Sequence, residues 1–481
     1  MTSRGKRLPL KLLGSKVQSL NIHVILSHPE QLCLFMLLLS TILMPAFFLH
    51  VAVAIKTQNH TDVKSSTANL PTLKDSNLKV ELVFKGIRFA TSMAFLGPND
   101  ILVLDKNSST LKRIVNGRMS EESLSHVNVT NQNTEQGLLG IAISKRHNDK
   151  PPYVFLYLTE CTKKGDPNEC STFSNCKPEK EGLRIHVYRY EFIDNKLVNP
   201  KLLLDLPGTP GTGHYGGAIT IGPDNNVYIP IGDIQGSKCQ ISTTMSQNYQ
   251  NGTNPDGRSG ILRITQEGKP VPGGSVIGIK YPLNLYYAYG IRNSFGIDFD
   301  PVTKKLWDTE NGPEYGDEIN LVESGFNSGW DKVQGIWKPK EAPDPLDYLP
   351  GEILSNPLRN GGLVDFNGTG KYSPPEFIWN QTVAPTAIKF LNSDKLGKQY
   401  KNDMFVGDFH NGTLYHFDLN KNRTQLDLHG PLIDKIGDSL KQLEDVIFGK
   451  HFGAITDIEV GPDGYLYVLS AGRGSIYRIA H

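Results

Sequence analysis

Acidic side chains and backbone carbonyls crowd one stretch of this chain. Between Tyr289 and Trp330 it reads YGIRNSFGIDFDPVTKKLWDTENGPEYGDEINLVESGFNSGW, with Glu310, Asn311, Gly312, Pro313, Glu314, Asp317 and Glu318 in one loop and the strand after it. Hard cations such as calcium take oxygen ligands of this kind; the plain alternative is a solvated acidic loop. Just ahead stands Gly290-Ile291-Arg292-Asn293. There an always-charged guanidinium lies beside a neutral amide donor. Its plain alternative is an internal ion pair of Arg292 with a carboxylate such as Glu310. A third segment, Gly213-His214-Tyr215-Gly216-Gly217, sets a histidine among glycines. Histidine titrates near neutrality and suits proton transfer, and glycines let backbone and ligand come close. A loop histidine with a surface or hydrogen-bonding role is the alternative there.

Four motifs follow one another in this region: Gly-x-Arg-Asn with Gly296, Glu-x-Gly-Pro at 310–313, Asp-Glu-Ile-Asn-Leu from Asp317, and Gly-x-Asn-x-Gly-Trp ending at Trp330. As a set they resemble the soluble glucose dehydrogenase and sorbosone dehydrogenase family, six-bladed β-propellers many of which use pyrroloquinoline quinone (PQQ) and calcium. The resemblance implies His214 as general base for a sugar hydroxyl, with Arg292 and Asn293 beside the quinone oxygens. It implies the carbonyls of Gly312 and Pro313 as holders of the cofactor-activating calcium, and Glu318 as a ligand of a second, structural calcium. Trp379 and Thr382, in Trp-x-x-Thr-Val-Ala-Pro, resemble the segment lying over the cofactor, where an aromatic face stacks on the flat quinone. The chain also departs from the pattern. Glu135 stands where the family has a glutamine and His410 where it has a lysine, while Ala454-Ile455-Thr456-Asp457 replaces Arg-x-Arg-Asp. A cofactor with three carboxylates loses cationic partners there, and unpaired buried charge is costly.

Two functions therefore compete with a PQQ- and calcium-dependent dehydrogenase of an aldose or related alcohol. One is a non-enzymatic, calcium-stabilised propeller that binds a glycan or a protein. The other is a calcium-dependent, lactonase-like hydrolase with Glu135 or Glu318 on the metal. The electron acceptor of the dehydrogenase stays open.

The elements that must hold these residues are read from a recurring unit of strand, Gly/Pro/Asp/Asn turn and strand. Clear copies start at Ser92, Ala218, Gly296 and Asp457, and looser ones at Leu138 and Ala387. Repeats spaced by about 50 to 90 residues predict an all-β, six-bladed propeller over 78–481. Such a ring must close, since an open last blade leaves strand edges unpaired. Val80 to Phe84 is expected to pair with the strand from Ser475 to Ile479. A many-stranded sandwich is the all-β alternative.

The chain has 481 residues, 38% of them apolar, with 47 glycines, 30 prolines and a formal net charge of +1. That supports one large turn-rich domain and gives no basic stripe for nucleic acid. Residues 1–31 are basic, and from Leu32 to Ile55 the chain is almost wholly apolar, long enough to cross a bilayer, which needs about 20 such residues. With the positive charge kept inside, the expectation is a single-pass anchor with the propeller outside the cytoplasm. Ala52-Val53-Ala54 offers a cleavage site for the signal-peptide alternative and a secreted protein. Residues 56–77 are polar and read as a linker. Cys161, Cys170, Cys176 and Cys239 are expected as disulfides in an exported domain, with three connectivities open; zinc is disfavoured because they form no Cys-x-x-Cys pair. Asn59, Asn107, Asn128, Asn251, Asn367, Asn380, Asn411 and Asn422 begin Asn-x-Ser/Thr triplets, the acceptor pattern of a glycoprotein.

Overall fold

The structure, a computed structural model, describes residues 70–481 apart from 128, 131–134, 145–149, 164–169, 171–181, 210–212, 235–242, 342–347 and 355–361. Each strand-turn-strand copy opens its own sheet, and among the described residues there are six sheets of four or more strands and a separate two-stranded hairpin, Trp337–Glu341 with Tyr348–Ile353. The innermost strands are Ala90–Gly97, Leu138–Ser144, Thr220–Ile221, Ser294–Phe299, Pro385–Phe390 and Ile455–Val460. Each packs against the next sheet in that order, the third sheet reaching the fourth through Val227–Ile231, and the last strand returns to the first. Sheets that radiate in this way from a common axis make a β-propeller.

The second strand of each sheet explains why the ring holds. Asp100–Asp105, Tyr153–Cys161, Val227–Ile231, Leu306–Glu310, Met404–Asp408 and Leu466–Ser470 are buried at nearly every position rather than at alternate ones. A strand between two neighbouring sheets has no solvent face, so sequences such as DILVLD and LYVLS read as apolar runs. The core is accordingly divided into six apolar clusters, each lying between consecutive sheets. Leu102, Leu104, Val154 and Leu156 join the first sheet to the second, and Tyr157, Val187, Val227 and Leu262 the second to the third. Tyr228, Ile261, Ile297 and Leu306 make the next joint, followed by Trp307, Trp379, Met404 and Tyr415. Phe405, Leu414, Val468 and Tyr477 join the fifth sheet to the sixth, and Val103, Ile114, Leu469 and Ile476 bring the sixth back to the first.

Closure is by an early strand that joins the sheet at the end of the chain. Lys79–Lys85 pairs antiparallel with Ser475–Ala480, with Val80 opposite Ile479, which is the pairing that the closing argument expects. The folded part begins earlier than the composition implies. Thr72 and Leu73, read as linker, pair with Lys450 and Gly449 and form the outer edge of the fifth sheet. The apolar run 32–55 lies outside the described residues, and among the described residues no helix is long and apolar enough to cross a membrane. Cys161 and Cys170 form a disulfide; Cys176 and Cys239 lie outside the described residues. Of the glycosylation triplets, Asn107, Asn251, Asn367, Asn411 and Asn422 are exposed and Asn380 is half-buried, while Asn59 and Asn128 are not described.

Ile479 is fully buried in the cluster that the closing strand completes. Ile479→Ala is expected to lower the unfolding free energy by about 3 kcal/mol in a urea titration, the usual cost of such a truncation in a core that cannot collapse. A loss below about 1 kcal/mol would mean that ring closure does not depend on this seam.

Candidate functional site

The innermost strands end around a cavity of about 430 Å³ on the axis of the ring. His214, Arg292, Asn293, Glu135, Gly312, Pro313, Thr382 and His410, eight of the ten site residues expected from sequence, line it. Asp317, Phe409, Thr456, Asp457, Lys389 and Glu459 also contribute to its wall. The other two expected residues, Trp379 and Glu318, lie elsewhere.

His214 reaches the cavity from a loop ahead of the third sheet. Its backbone has φ 64°, a left-handed conformation uncommon for a side-chain-bearing residue and one that other contacts must hold. Glu135 does so: one of its carboxylate oxygens accepts the His214 backbone N–H and, at 3.1 Å, the amide of Asn293. Asn293 in turn accepts the N–H of Gly216 at 3.1 Å. Gly216 has φ +70°, and a Cβ there would run into the Pro230 carbonyl, so a side chain is excluded. Glu135 thus fixes the histidine loop and is tied to protein groups.

His214 Nδ1 lies 2.6 Å from Asp233 Oδ1, and Asp233 Oδ2 accepts the indole N–H of Trp330 at 2.7 Å. Burial works to raise the Asp233 pKa, but His214, Arg292 and Trp330 together hold it below the usual carboxylate range. An ionised Asp233 fixes the proton on Nδ1 and leaves Nε2 as the nitrogen that can accept one. Sequence reading missed Asp233. The available signal was the Gly-Asp pair that ends the second strand of the repeat, present as Gly232-Asp233 and again as Gly407-Asp408.

Arg292 does not make the ion pair with Glu310 weighed as its plain alternative. Glu310 Oε1 accepts the backbone N–H of Arg292 at 2.7 Å, while the guanidinium donates from Nη1 to the Asn311 carbonyl at 2.8 Å and lies 5.3 Å from the Trp330 ring centre. Arg292 Nε and Asn311 Oδ1 are buried without a hydrogen-bond partner. An orphaned donor and an orphaned acceptor on one cavity wall call for a polar ligand, since buried polar groups are otherwise paired.

Asp317 organises the loop that carries Gly312 and Pro313. Its oxygens accept the N–H groups of Gly312 at 2.8 Å, Val383 at 2.7 Å and Ala384 at 2.8 Å. A Cβ on Gly312 would strike the Tyr315 carbonyl, so the turn demands glycine. One carboxylate therefore ties the Gly-Pro turn to the Thr382 loop of the same sheet.

Glu318 is buried behind this loop with Asp308 and Glu310. Ser328 donates to Glu310 at 2.7 Å and to Glu318 at 3.3 Å; Gln334 and Asn320 also donate to Glu318, at 2.9 and 3.1 Å. Both oxygens of Asp308 lack a partner. Burial raises Asp308 and Glu318 to about 7 and lifts Glu310 well above the carboxylate range, with neighbouring acids adding to the effect on Glu310 and Glu318. The Gly335 backbone N–H also donates to Glu318. Three buried carboxyls that repel one another suit a hard divalent cation.

Trp379 is fully buried in the cluster between the fourth and fifth sheets, packed on Phe377 at 4.9 Å and Tyr415 at 5.4 Å. Its ring is not a wall of the cavity, because the strand Phe377–Gln381 directs it between sheets and only Thr382, beyond the strand end, reaches the site. Where the family resemblance leads one to expect cations, the wall has His410, whose Nδ1 is 3.5 Å from the Thr382 carbonyl, and Thr456, which donates to the Ala90 carbonyl. Lys389 is tied to Glu459 at 3.0 Å and Asp298 at 3.5 Å.

Fold and site together define a β-propeller with a polar axial cavity, holding a histidine oriented by an aspartate beside an arginine with an unpartnered donor. The family model for "Glucose / Sorbosone dehydrogenase" matches residues 88–344 and 359–478, and the chain belongs to that family. An uncharacterized protein of Synechocystis is 25% identical over 413 residues, covering 84% of this chain and 86% of its own. The quinoprotein glucose dehydrogenase B of Acinetobacter calcoaceticus is 26% identical over 290 residues, 57% of this chain and 56% of that one. The aldose sugar dehydrogenase YliI of Escherichia coli is 25% identical over 265 residues, with 55% and 59% covered. The chain thus matches a little over half the length of these two enzymes. Among solved structures, the apo soluble aldose sugar dehydrogenase of Escherichia coli has a TM-score of 0.60 at 21% identity, and the PQQ-bound aldose sugar dehydrogenase of Streptomyces coelicolor 0.55 at 20%. They cover 84% and 85% of this chain and 99% of their own, a likeness of fold.

A carboxyl whose folded-state pKa is raised keeps its proton while the unfolded chain loses it, so its contribution weakens as pH rises from the ordinary carboxylate range through the folded value. For Asp308, Glu310 and Glu318 the metal-free protein is therefore expected to lose thermal stability between about pH 5 and about pH 8. Glu310→Gln should flatten that decline. A melting temperature that rises with pH over this window in chelator would contradict the buried acid cluster.

Proposed function

We propose that the protein oxidises an aldose sugar or a related alcohol, using PQQ as hydride acceptor and calcium to hold and polarise it. The observation that carries this reading is the His214–Asp233 pair on the wall of the cavity that also holds Arg292 and Asn293. Membership of the family and relatives named as sugar dehydrogenases support it. The cavity's orphaned Arg292 Nε and Asn311 Oδ1 fit the reacting end of the cofactor. The opposite end fits less closely, since His410, Thr456 and an ion-paired Lys389 stand where carboxylate partners are needed.

Bound in the cavity, the quinone supplies a two-electron acceptor for hydride. The chain supplies the rest. Asp233 fixes the His214 tautomer, and Nε2 takes the proton of the substrate hydroxyl as its carbon is oxidised. Arg292 and Asn293 offer donors where negative charge develops, without reorganisation at the moment of reaction. The carbonyls of Gly312 and Pro313, in the turn set by Asp317, are the groups to hold the activating calcium. Glu318, with Glu310 and Asp308, would hold a second ion that acts on stability.

The same reading takes the six sheets as six blades, supported by the ring of innermost strands. It places the propeller outside the cytoplasm behind the apolar run 32–55, either anchored or secreted after cleavage. The Cys161–Cys170 disulfide and the exposed sequons support export; the electron acceptor is unassigned.

The test is dye reduction by the purified full chain with calcium, PQQ and a panel of aldoses. His214→Ala is expected to lower turnover by about a hundredfold or more with cofactor binding kept. Arg292→Ala should impair both. Glu318→Gln should abolish most of the calcium-induced rise in melting temperature, which for a ligand at a hundred times its Kd corresponds to about 2.7 kcal/mol. A protein stabilised by calcium that shows neither a PQQ-induced absorbance change nor dye reduction is a binding propeller instead, with Thr456 and His410 as the reason.

A further inference from the structure

Far from the reading above in its chemistry, three side chains converge on the fifth sheet. His416 lies in the strand Leu414–Phe417, and Asp418 follows it. Asp403 stands just ahead of the neighbouring strand Met404–Asp408, whose Phe405 is opposite His416. His416 Nε2 is 3.1 Å from Asp403 Oδ2 and 3.7 Å from Asp418 Oδ1. Among the described residues this is the one group of three His, Cys, Asp or Glu side chains whose ligand atoms all lie within 4.8 Å of one another.

Two features distinguish it from an ordinary surface ion pair. The first is valence. A protonated imidazole has a single N–H at Nε2 and cannot donate good bonds to two carboxylates at once. The Asp403 and Asp418 carboxylates both face Nε2, at 3.1 and 3.7 Å, and their ligand oxygens lie within 4.8 Å of each other. The second is orientation. The imidazole is packed among Phe405, Tyr400 and Phe448, with ring centres 5.1, 5.2 and 6.1 Å away. These rings fix its plane and leave Nε2 directed at the acids. A cation at that point satisfies all three groups.

We propose that His416, Asp403 and Asp418 form a divalent transition-metal site of the zinc class that clamps the outer part of the fifth sheet. Two ligands on one tetrahedral zinc, each at about 2.0 to 2.1 Å, stand about 3.3 Å apart, and the two distances from Nε2 bracket that value. One nitrogen with two carboxylates selects zinc or a neighbour in the first-row series over calcium, which takes oxygens alone. Asp418 is 62% exposed, so the fourth position is open to water and the ion enters from solvent. Asp427 and His429 border the opening: the Asp427 N–H donates to the Asp418 carbonyl, and His429 Nε2 is 3.6 Å from Asp427 Oδ1. The site joins a residue before one strand to two at the end of the next, so the bound ion stabilises the sheet on which Thr72 and Leu73 form the outer edge. It is independent of the axial cavity and of any cofactor there.

The experiment uses the full chain without a histidine tag, stripped with chelator and returned to saturating calcium. Zinc is titrated against a chromogenic chelator and by melting temperature, and cobalt is followed by its visible absorption. One equivalent of zinc is expected at micromolar concentration or below, with a rise in melting temperature and a cobalt spectrum of a four- or five-coordinate site. Asp418→Asn, at an exposed position that folding tolerates, and His416→Gln should each weaken zinc binding by about a hundredfold and remove the cobalt bands. The response to calcium should be unchanged in both. No saturable zinc uptake, or uptake that both variants leave unaltered, overturns the proposal and leaves His416 as an ion-pair bridge.

Discussion

Everything in this molecule depends on the apolar packing of each sheet's second strand against the sheets on both sides. Runs such as DILVLD, VYIPI and LYVLS have no exposed face, so no sheet is stable without its two neighbours. The six clusters between sheets form a closed sequence, and the terminal strand Lys79–Lys85 completes the last sheet from the other end of the chain. A ring closed by packing fixes the positions of the strand ends at its centre, and residues on those ends inherit that rigidity. Glycines such as Gly216 let backbones approach the axis where side chains would collide.

That rigidity makes it feasible to hold unfavourable groups near the axis. Asp233, Asp308, Glu310, Asp317 and Glu318 are all buried within the third and fourth sheets, a density of acid that would be strongly destabilising without compensation. The compensation differs at each. Asp233 has His214, Arg292 and the Trp330 indole, and its charge is favoured. Asp317 has three backbone N–H groups, yet burial still raises its pKa to about 6. Asp308, Glu310 and Glu318 are buried together, and burial with mutual repulsion raises them despite four donors on Glu318. The gradient separates an ionised acid that orients a histidine from acids whose neutralisation needs protons or a cation.

Much of this was legible in the sequence because the repeat and the motifs each impose a distinct physical demand. The Gly-Pro-Asp turns between strands gave the sheets, and the need to pair a last edge gave the closing strand at Val80. His214 among its glycines and the Arg292-Asn293 pair, singled out from sequence, lie on the cavity wall. What escaped was any contact between residues far apart in the chain. Asp233 sits at an ordinary strand end and meets His214 and Trp330, 19 and 97 residues away, only in the folded chain. Glu135 looked like a ligand residue, but 79 residues on it meets the His214 N–H. Trp379 was assigned by motif to the cavity, and the strand parity at Phe377–Gln381 turns it between sheets instead.

The departures at His410 and Thr456 bear on which ligand the cavity can accept. An anion brought into a site lined by Glu135, Asp317, Asp457 and Glu459 meets repulsion unless those acids are protonated, bridged by calcium or paired as Glu459 is with Lys389. Glu135 and Asp317 are already engaged with N–H groups, and Asp457 accepts from Ser92 at 2.9 Å and Met93 at 2.7 Å. The wall therefore offers little uncompensated negative charge, but Arg292 is its one cationic side chain among the described residues that is not tied to a carboxylate in an ion pair. A polycarboxylate ligand held here would rely on that arginine, on backbone N–H groups and on any bound divalent ion to offset its charge.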